Sequence, residues 1–370
     1  MSNGEDQSLL ERVEMPTIPR EAARKIALVE EEFTRAEVEQ LRQSVPLLKP
    51  LFEKRNEIIT SPEIQSDFWI RVFSNAPAEI DEYILPTDAG ALGQSLKNLT
   101  VQRFEVNDQG QGEPRSLRFT FDFHTGEENP FFENAQLVKD FYWRKQIIKT
   151  SSGKHRTWEG LVSDPVRINW KKDMDLTKGL LDASCDLFDA EKKKGGDRKA
   201  LPEYEALVKK VEAAEAEAMK GEEDEEEDED DVLGGTSPAG ISFFAFFGYR
   251  GRDVSAQQSK EANKEDAERW AKIAKGEKVE GEDEEDDDDE DLEDLLDDLE
   301  EAEIFEDGEE LAIAIAEDLW PDALKYYVQS FEIADELSDI DIDEIMGEDD
   351  DEDEEEEGDE ESRPRKKARN

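Results

Sequence analysis

Apolar residues recur at three- and four-residue intervals at Ile26, Val29 and Phe33, then at Val38, Leu41, Val45, Leu48 and Phe52. That spacing predicts one helix over 19–60, roughly 60 Å long at 1.5 Å per residue. Pro19 suits its first turn. Pro46 and Pro50 each remove a backbone donor, which predicts a kink or break near 42–50. A helix this long outreaches a small domain. The stripe Ile26, Val29, Phe33, Val38, Leu41, Val45 and Leu48 therefore reads as a dimerisation face of coiled-coil type, with packing on its own body as the plainer alternative.

Residues 61–77 open on Ser61-Pro62-Glu63, a helix-start signal, and carry an apolar face of Phe68, Trp69, Val72 and Phe73. Residues 80–85 fit a further short helix. Residues 99–106 are β-rich. Leu117, Phe119, Phe121 and Phe123 alternate with Arg118, Thr120 and Asp122, the period of a half-buried strand. Residues 137–148 and 165–171 are expected to supply two more strands. Four strands without helices between them predict an antiparallel sheet. Helical patterns return at 203–220 and 309–319, on either side of an apolar block, 242–251.

Charge changes this picture. Residues 222–231 are all acidic, residues 282–301 hold 16 acids in 20 positions, and residues 348–361 hold 13 in 14. These 39 acids account for most of the net charge of −55 and leave −16 on the rest. Such tracts cannot bury enough apolar surface to offset chain entropy, so acidic insertions at 221–236 and 276–303 and an acidic tail at 335–370 are expected to stay disordered, as is a leader at 1–18. Concentrated negative charge holds a cloud of cations that a Lys/Arg-rich partner displaces, and it repels DNA phosphates. Histones are the abundant nuclear proteins with the matching charge. Arg363, Arg365, Lys366, Lys367 and Arg369 form a basic cluster of nuclear-localisation type, with folding back on the acid beside it as the plainer, compatible alternative.

Catalytic and metal chemistry find little support in the residues. There are two histidines, His124 and His155, and one cysteine, Cys185. That set is too small for a usual zinc site, and Gly195-Gly196 fits neither a P-loop nor a dinucleotide fingerprint. The series Asp339, Asp341, Asp343 resembles the start of a calcium loop, but Glu344 stands where the turn needs glycine. No cofactor or metal is expected. A single cysteine fits a reducing compartment, and no apolar run approaches the 18 residues of a membrane span.

The aromatic segments carry a resemblance. LFEKRNEII (51–59), DFWIRVFSNAP (67–77), FTFDF (119–123), ENPFFEN (128–134), INWKKDMDLTK (168–178), SFFAFF (242–247) and EDLWPDALKYY (317–327) occur in the order found in histone chaperones. The chain resembles the SET/nucleosome assembly protein family, its SET branch in particular. The resemblance implies an α+β fold: a long dimerisation helix, paired antiparallel in a homodimer, and an "earmuff" domain over 61–334 whose four-stranded antiparallel sheet packs with helices. It also implies binding of core histones, the tetramer-forming or the dimer-forming pair, on the earmuff underside and the tail. Glu309, Glu310, Glu317, Asp318, Glu348, Asp349, Asp350 and Asp351 are the candidate contacts. The chain departs from the family pattern in the roughly 70 residues between SFFAFF and EDLWP, and in Gly248-Tyr249-Arg250-Gly251-Arg252 after the aromatic block. The expected function is ATP-independent histone binding and nucleosome assembly in the nucleus, without enzymatic activity. The alternative is a scaffold or inhibitor of a phosphatase or a histone acetyltransferase. The stripe as read here predicts that Val38→Asp with Leu41→Asp leaves monomers in light scattering.

Overall fold

The computed structural model describes residues 18–149, 155–225, 241–277, 279 and 301–338. Helix α1 spans Arg20–Ile59 without interruption, so the expected break at the prolines does not occur. The helix continues past Pro46 and Pro50, whose missing donors leave only the carbonyls of Arg42 and Pro46 without their usual partners. Turns at 61–67 separate it from α2 (Phe68–Phe73), so the start signal at Ser61-Pro62 opens turns rather than the helix. Short α3 (Ala78–Asp81) and α4 (Pro86–Ser95) follow.

Four strands form one antiparallel meander in chain order: β1 (Leu96–Gln102), β2 (Leu117–Phe123), β3 (Gln136–Lys149) and β4 (His155–Ser163). The alternation in β2 holds position by position, with Leu117, Phe119, Phe121 and Phe123 inward. Register follows from it, with Phe119 opposite Val101 and Phe121 opposite Leu99. The fourth strand is a correction. It is His155–Ser163, whereas 165–171 is a loop that has one isolated bridge, Trp170 to Phe132, and packs on the aromatic block with Val166 N donating to Phe247 O (2.8 Å). HRTWEGLVS hides a strand because a glycine and three charged or ionisable residues blur its period, and Pro165 cannot donate to a ladder.

Helices cover the inner face. α5 (Leu180–Lys194) packs on α6 (Pro202–Glu225), which runs four residues into the first acidic tract. Helix α7 (Ala256–Ala274) lies in the long insertion and backs the distal half of β3, where Ser259 Oγ accepts Lys145 N (3.0 Å) and Asp266 takes the Lys145 ammonium (2.6 Å). α8 (Gly308–Ala314) continues into a π turn, Ile315–Leu319, and α9 (Ala323–Ser338) packs on α2.

A 3₁₀ turn, Phe243–Gly248, occupies the centre with all six residues buried. Phe246 meets Phe119, Phe141 and Phe305 at centroid distances of 5.2–6.2 Å, and Phe244 meets Phe132 and Trp170. Polar groups fasten this turn at both ends. At its start the buried Asp88 carboxylate accepts Ser242 Oγ (2.5 Å), Phe243 N (2.8 Å) and Leu85 N (3.1 Å), and burial holds its pKa above the ordinary value. At its end Lys139, fully buried on β3, donates to the carbonyls of Phe247 (3.1 Å), Tyr249 (2.6 Å) and Asp164 (2.9 Å). Glu303 completes this end, its carboxylate accepting the amides of Arg250 (2.9 Å) and Gly251 (3.0 Å). The last residues of the acidic insertion at 276–303 thus belong to the body: Glu301 accepts Tyr204 Oη (3.1 Å), Ala302 is buried, and Glu303 is bonded inside.

Burial pulls Lys139 down to about 7, with nearby Glu303 opposing the shift. Above that pH the unfolded chain, whose lysine keeps its proton up to its ordinary 10.5, binds more protons than the folded one. This group therefore makes stability rise with pH from about 7 to 10.5. Lys139→Met should cost roughly 3 kcal/mol by stranding buried carbonyls. In denaturant titrations across that window it should also show a smaller rise of stability with pH than wild type.

Candidate functional site

Two surfaces of the body stand out. The first is the outer side of α1. At about 100° per residue, Ile26, Val29, Phe33, Leu47, Leu48, Leu51 and Ile58 fall within an arc of roughly 100°. All seven are exposed, Phe33 at 64% and Leu47 at 71%. The opposite side, with Arg24, Arg42 and Lys49, faces the body, and near the C-terminal end the helix is also buried at Arg55, on the edge of the arc itself. Arg55 lies between the rings of Phe52 (4.7 Å) and Trp320 (4.3 Å) and donates to Trp320 O and Pro321 O (3.1 Å to the latter), and burial lowers it to about 10. Arg42 donates to Gly112 O (2.8 Å) and Lys49 pairs with Asp108 (3.0 Å), which holds the loop between β1 and β2 against the helix. Arg24 donates to Ile273 O (2.9 Å) and Glu277 O (2.7 Å), capping the end of α7.

The seven residues named from the sequence for dimerisation divide between these sides. Ile26, Val29, Phe33 and Leu48 are on the exposed arc, while Val38, Leu41 and Val45 are half-buried and turn toward the body. Leu47, Leu51 and Ile58 join the arc. Sequence spacing missed them because a 3,4 pattern through two prolines fits more than one phase, and only the packed side reveals which phase stays free.

The second surface is an acidic edge built by α3 and by α8 with its π turn. Asp307, Glu82 and Glu310 surround Tyr83, and Asp318, Asp322 and Glu79 surround Tyr326. Burial and the hydrogen bond to Asp318 (2.6 Å) push the Tyr326 phenol up to about 12. The π turn, closed by Trp320 N on Ile315 O (2.9 Å), directs Glu317 to Arg103 (2.9 Å) and Asp318 to Tyr326. Of the acids named from the sequence, Glu310, Glu317 and Asp318 are exposed along this edge. Glu309 instead turns inward, accepts Leu161 N and is raised by burial. Glu79 and Glu82 were not named, because α3 lies more than 200 residues away in sequence and only the fold unites it with α8; Asp307 and Asp322, close in sequence to the named acids, were missed too. Glu348, Asp349, Asp350 and Asp351 lie outside the described residues, as do Arg363, Arg365, Lys366, Lys367 and Arg369.

His124 pairs with Glu128 (3.2 Å) at the surface, and Cys185 is buried with its thiol pushed up to about 11. Among the described residues, no His, Cys, Asp and Glu are grouped to hold a metal ion, and no helix is long and apolar enough to cross a membrane.

Fold and surfaces together define an α+β scaffold that presents a long apolar helix face and an acidic edge. The nucleosome assembly protein family model matches residues 60–330, and the chain belongs to that family. A Schizosaccharomyces pombe protein named as a nucleosome assembly protein is 33% identical over 156 residues, 42% of this chain and 60% of that protein. Protein SET of Drosophila melanogaster is 27% identical over 185 residues, 49% of this chain and 57% of its own length. The matched region thus spans a little over half the length of these relatives. The crystal structure of Ccp1 is similar at a TM-score of 0.46 and 24% identity, covering 84% of this chain and 96% of that one.

The exposed arc predicts self-association. In light scattering, Phe33→Asp with Leu51→Asp should run at the mass of one chain and wild type at twice that. Because Val38 and Leu41 turn toward the body, Val38→Asp with Leu41→Asp should be the less effective pair at separating subunits and should lower the melting temperature.

Proposed function

We propose that this protein is a homodimeric histone chaperone that binds basic core histones and assists nucleosome assembly without ATP. The observation that carries the reading is the acidic edge on the folded body, joined in one chain to three acidic tracts. Lys and Arg side chains of a histone would pair with Glu79, Glu310, Asp318 and Asp322, while the tracts compete with DNA phosphates for the remaining basic surface. Transfer is then an exchange between polyanions and needs neither nucleotide nor covalent chemistry. The basic cluster at 363–369 fits a nuclear address.

The dimer would pair the exposed arcs of two α1 helices antiparallel. A two-fold axis between Val38 and Glu39 sets Ile26 against Leu51 and Val29 against Leu48. It also leaves the small Ser44 opposite Phe33, an arrangement that fits close packing of one large and one small side chain.

The test measures binding of each core histone pair across a salt series. Truncation after Gly347 should weaken binding by about 10–100-fold near 0.1 M salt and flatten its salt dependence. Charge reversal of Glu79, Glu310, Asp318 and Asp322 in the truncated chain should remove most of what remains. Unchanged affinity in both variants would overturn the chaperone reading.

A further inference from the structure

The exposed arc of α1 is apolar toward both ends and polar in the middle. At about 100° per residue, Glu37 and Gln40 fall inside the arc that Phe33, Leu47 and Leu51 define, and both are exposed. No large apolar residue shares the arc between Phe33 and Leu47; Ala36 and Ser44 flank the two polar ones. Their polar neighbours are satisfied within the helix. Arg35 pairs with Glu31 (2.6 Å), Gln43 Nε2 donates to Glu39 (2.8 Å), and Ser44 Oγ donates to Leu41 O (2.7 Å). Among the described residues, the side chains of Glu37 and Gln40 have no hydrogen-bond or ion-pair partner.

We propose that Glu37 and Gln40 select the partner helix, its orientation and its register. The inference rests on the dimer proposed above. A two-fold axis between Val38 and Glu39 makes every contact reciprocal, so Glu37 lies opposite the partner's Gln40 and Gln40 opposite the partner's Glu37. The Gln40 side-chain amide then donates to the Glu37 carboxylate on each side of the axis. Pairing removes both groups from water, and each is costly to bury unless the other meets it. Competing arrangements fail that condition. A parallel pair in register sets Glu37 against the partner's Glu37. A slip of one heptad sets it against the partner's Phe33 or the partner's Leu47, an apolar side chain in either case. The apolar ends of the arc supply attraction that tolerates several arrangements, and the polar centre rejects those that leave it unpaired.

The experiment compares full-length variants by native mass spectrometry and analytical ultracentrifugation at about 0.1 M salt. Gln40→Glu gathers two carboxylates from each chain at the axis, and Glu37→Lys with Gln40→Lys gathers two ammonium groups from each. Either variant alone should dimerise at least about tenfold more weakly than wild type. Mixed in equal amounts, the two should form mainly the mixed dimer, because each Glu then meets a Lys. Glu57→Lys, off the arc, changes the net charge and should leave pairing as it is. Glu37, Gln40 and Glu57 are all exposed, so the fold is kept, which circular dichroism checks. Dimers of Gln40→Glu as tight as wild type, a random mixture of the two variants, or an equal loss in Glu57→Lys would overturn the proposal and leave the dimer reading standing. A monomeric wild type would overturn both.

Discussion

The buried aromatic turn at Phe243–Gly248 is the constraint on which the rest of the body depends. Its phenylalanines fill the space between the sheet and the helices, and it has no regular ladder to hold it there. Aromatic packing alone leaves such a turn free to slide. Asp88 at one end, and Lys139 with Glu303 at the other, remove that freedom because each buried charge is satisfied in only one position. The same fastening joins distant parts of the chain. Asp88 links α4 to the turn, Lys139 links β3 to it, and Glu303 links the far end of the second acidic tract. Helix α8 begins five residues after Glu303 and continues into the π turn, so this fastening fixes where their part of the acidic edge starts.

Helix α1 shows a second division of labour. Its body-facing side is held mostly by polar and cation–π contacts at Arg24, Arg42, Lys49 and Arg55. Its apolar residues are left largely on the other side. A helix of this length that served only its own body would carry the opposite distribution, since apolar burial is the main stabilising term. Holding the inner side with specific polar contacts fixes the rotation of the helix about its axis, and that rotation decides which apolar residues face outward.

Much of this was legible in the sequence. The alternation in Leu117–Phe123, the helical stripe and the polar turns gave an antiparallel sheet and one long helix, because one-sided burial writes its period into the chain. The fourth strand was not legible. Its Gly160 and charged neighbours break the alternation, while Val166, Ile168 and Trp170 mimic a strand because they too are buried or half-buried, against the aromatic block and not in a ladder. Helix α7 was missed because its buried residues are Ser259, Ala262, Asp266 and Ile273, a face with one large apolar residue and so no hydrophobic period. The acidic edge was half legible: acids in α8 and the π turn stand out locally, whereas their partners in α3 come together with them only through the fold.

Electrostatics explains why the acid is sorted as it is. Spread evenly over the body, a charge of −55 would oppose folding through self-repulsion. Within the body, arginines are matched closely to carboxylates, as in Arg118 with Asp140 and Arg250 with Glu191, so local charge largely cancels. The excess is concentrated in the three acidic tracts at 222–231, 282–301 and 348–361. At a Debye length of about 10 Å near 0.1 M salt, charges of a tract farther from the body than that are screened from it. Concentrating the acid in a few stretches of sequence in this way spares the body most of the self-repulsion, and among the described residues the acidic edge is a part of that charge with a fixed shape.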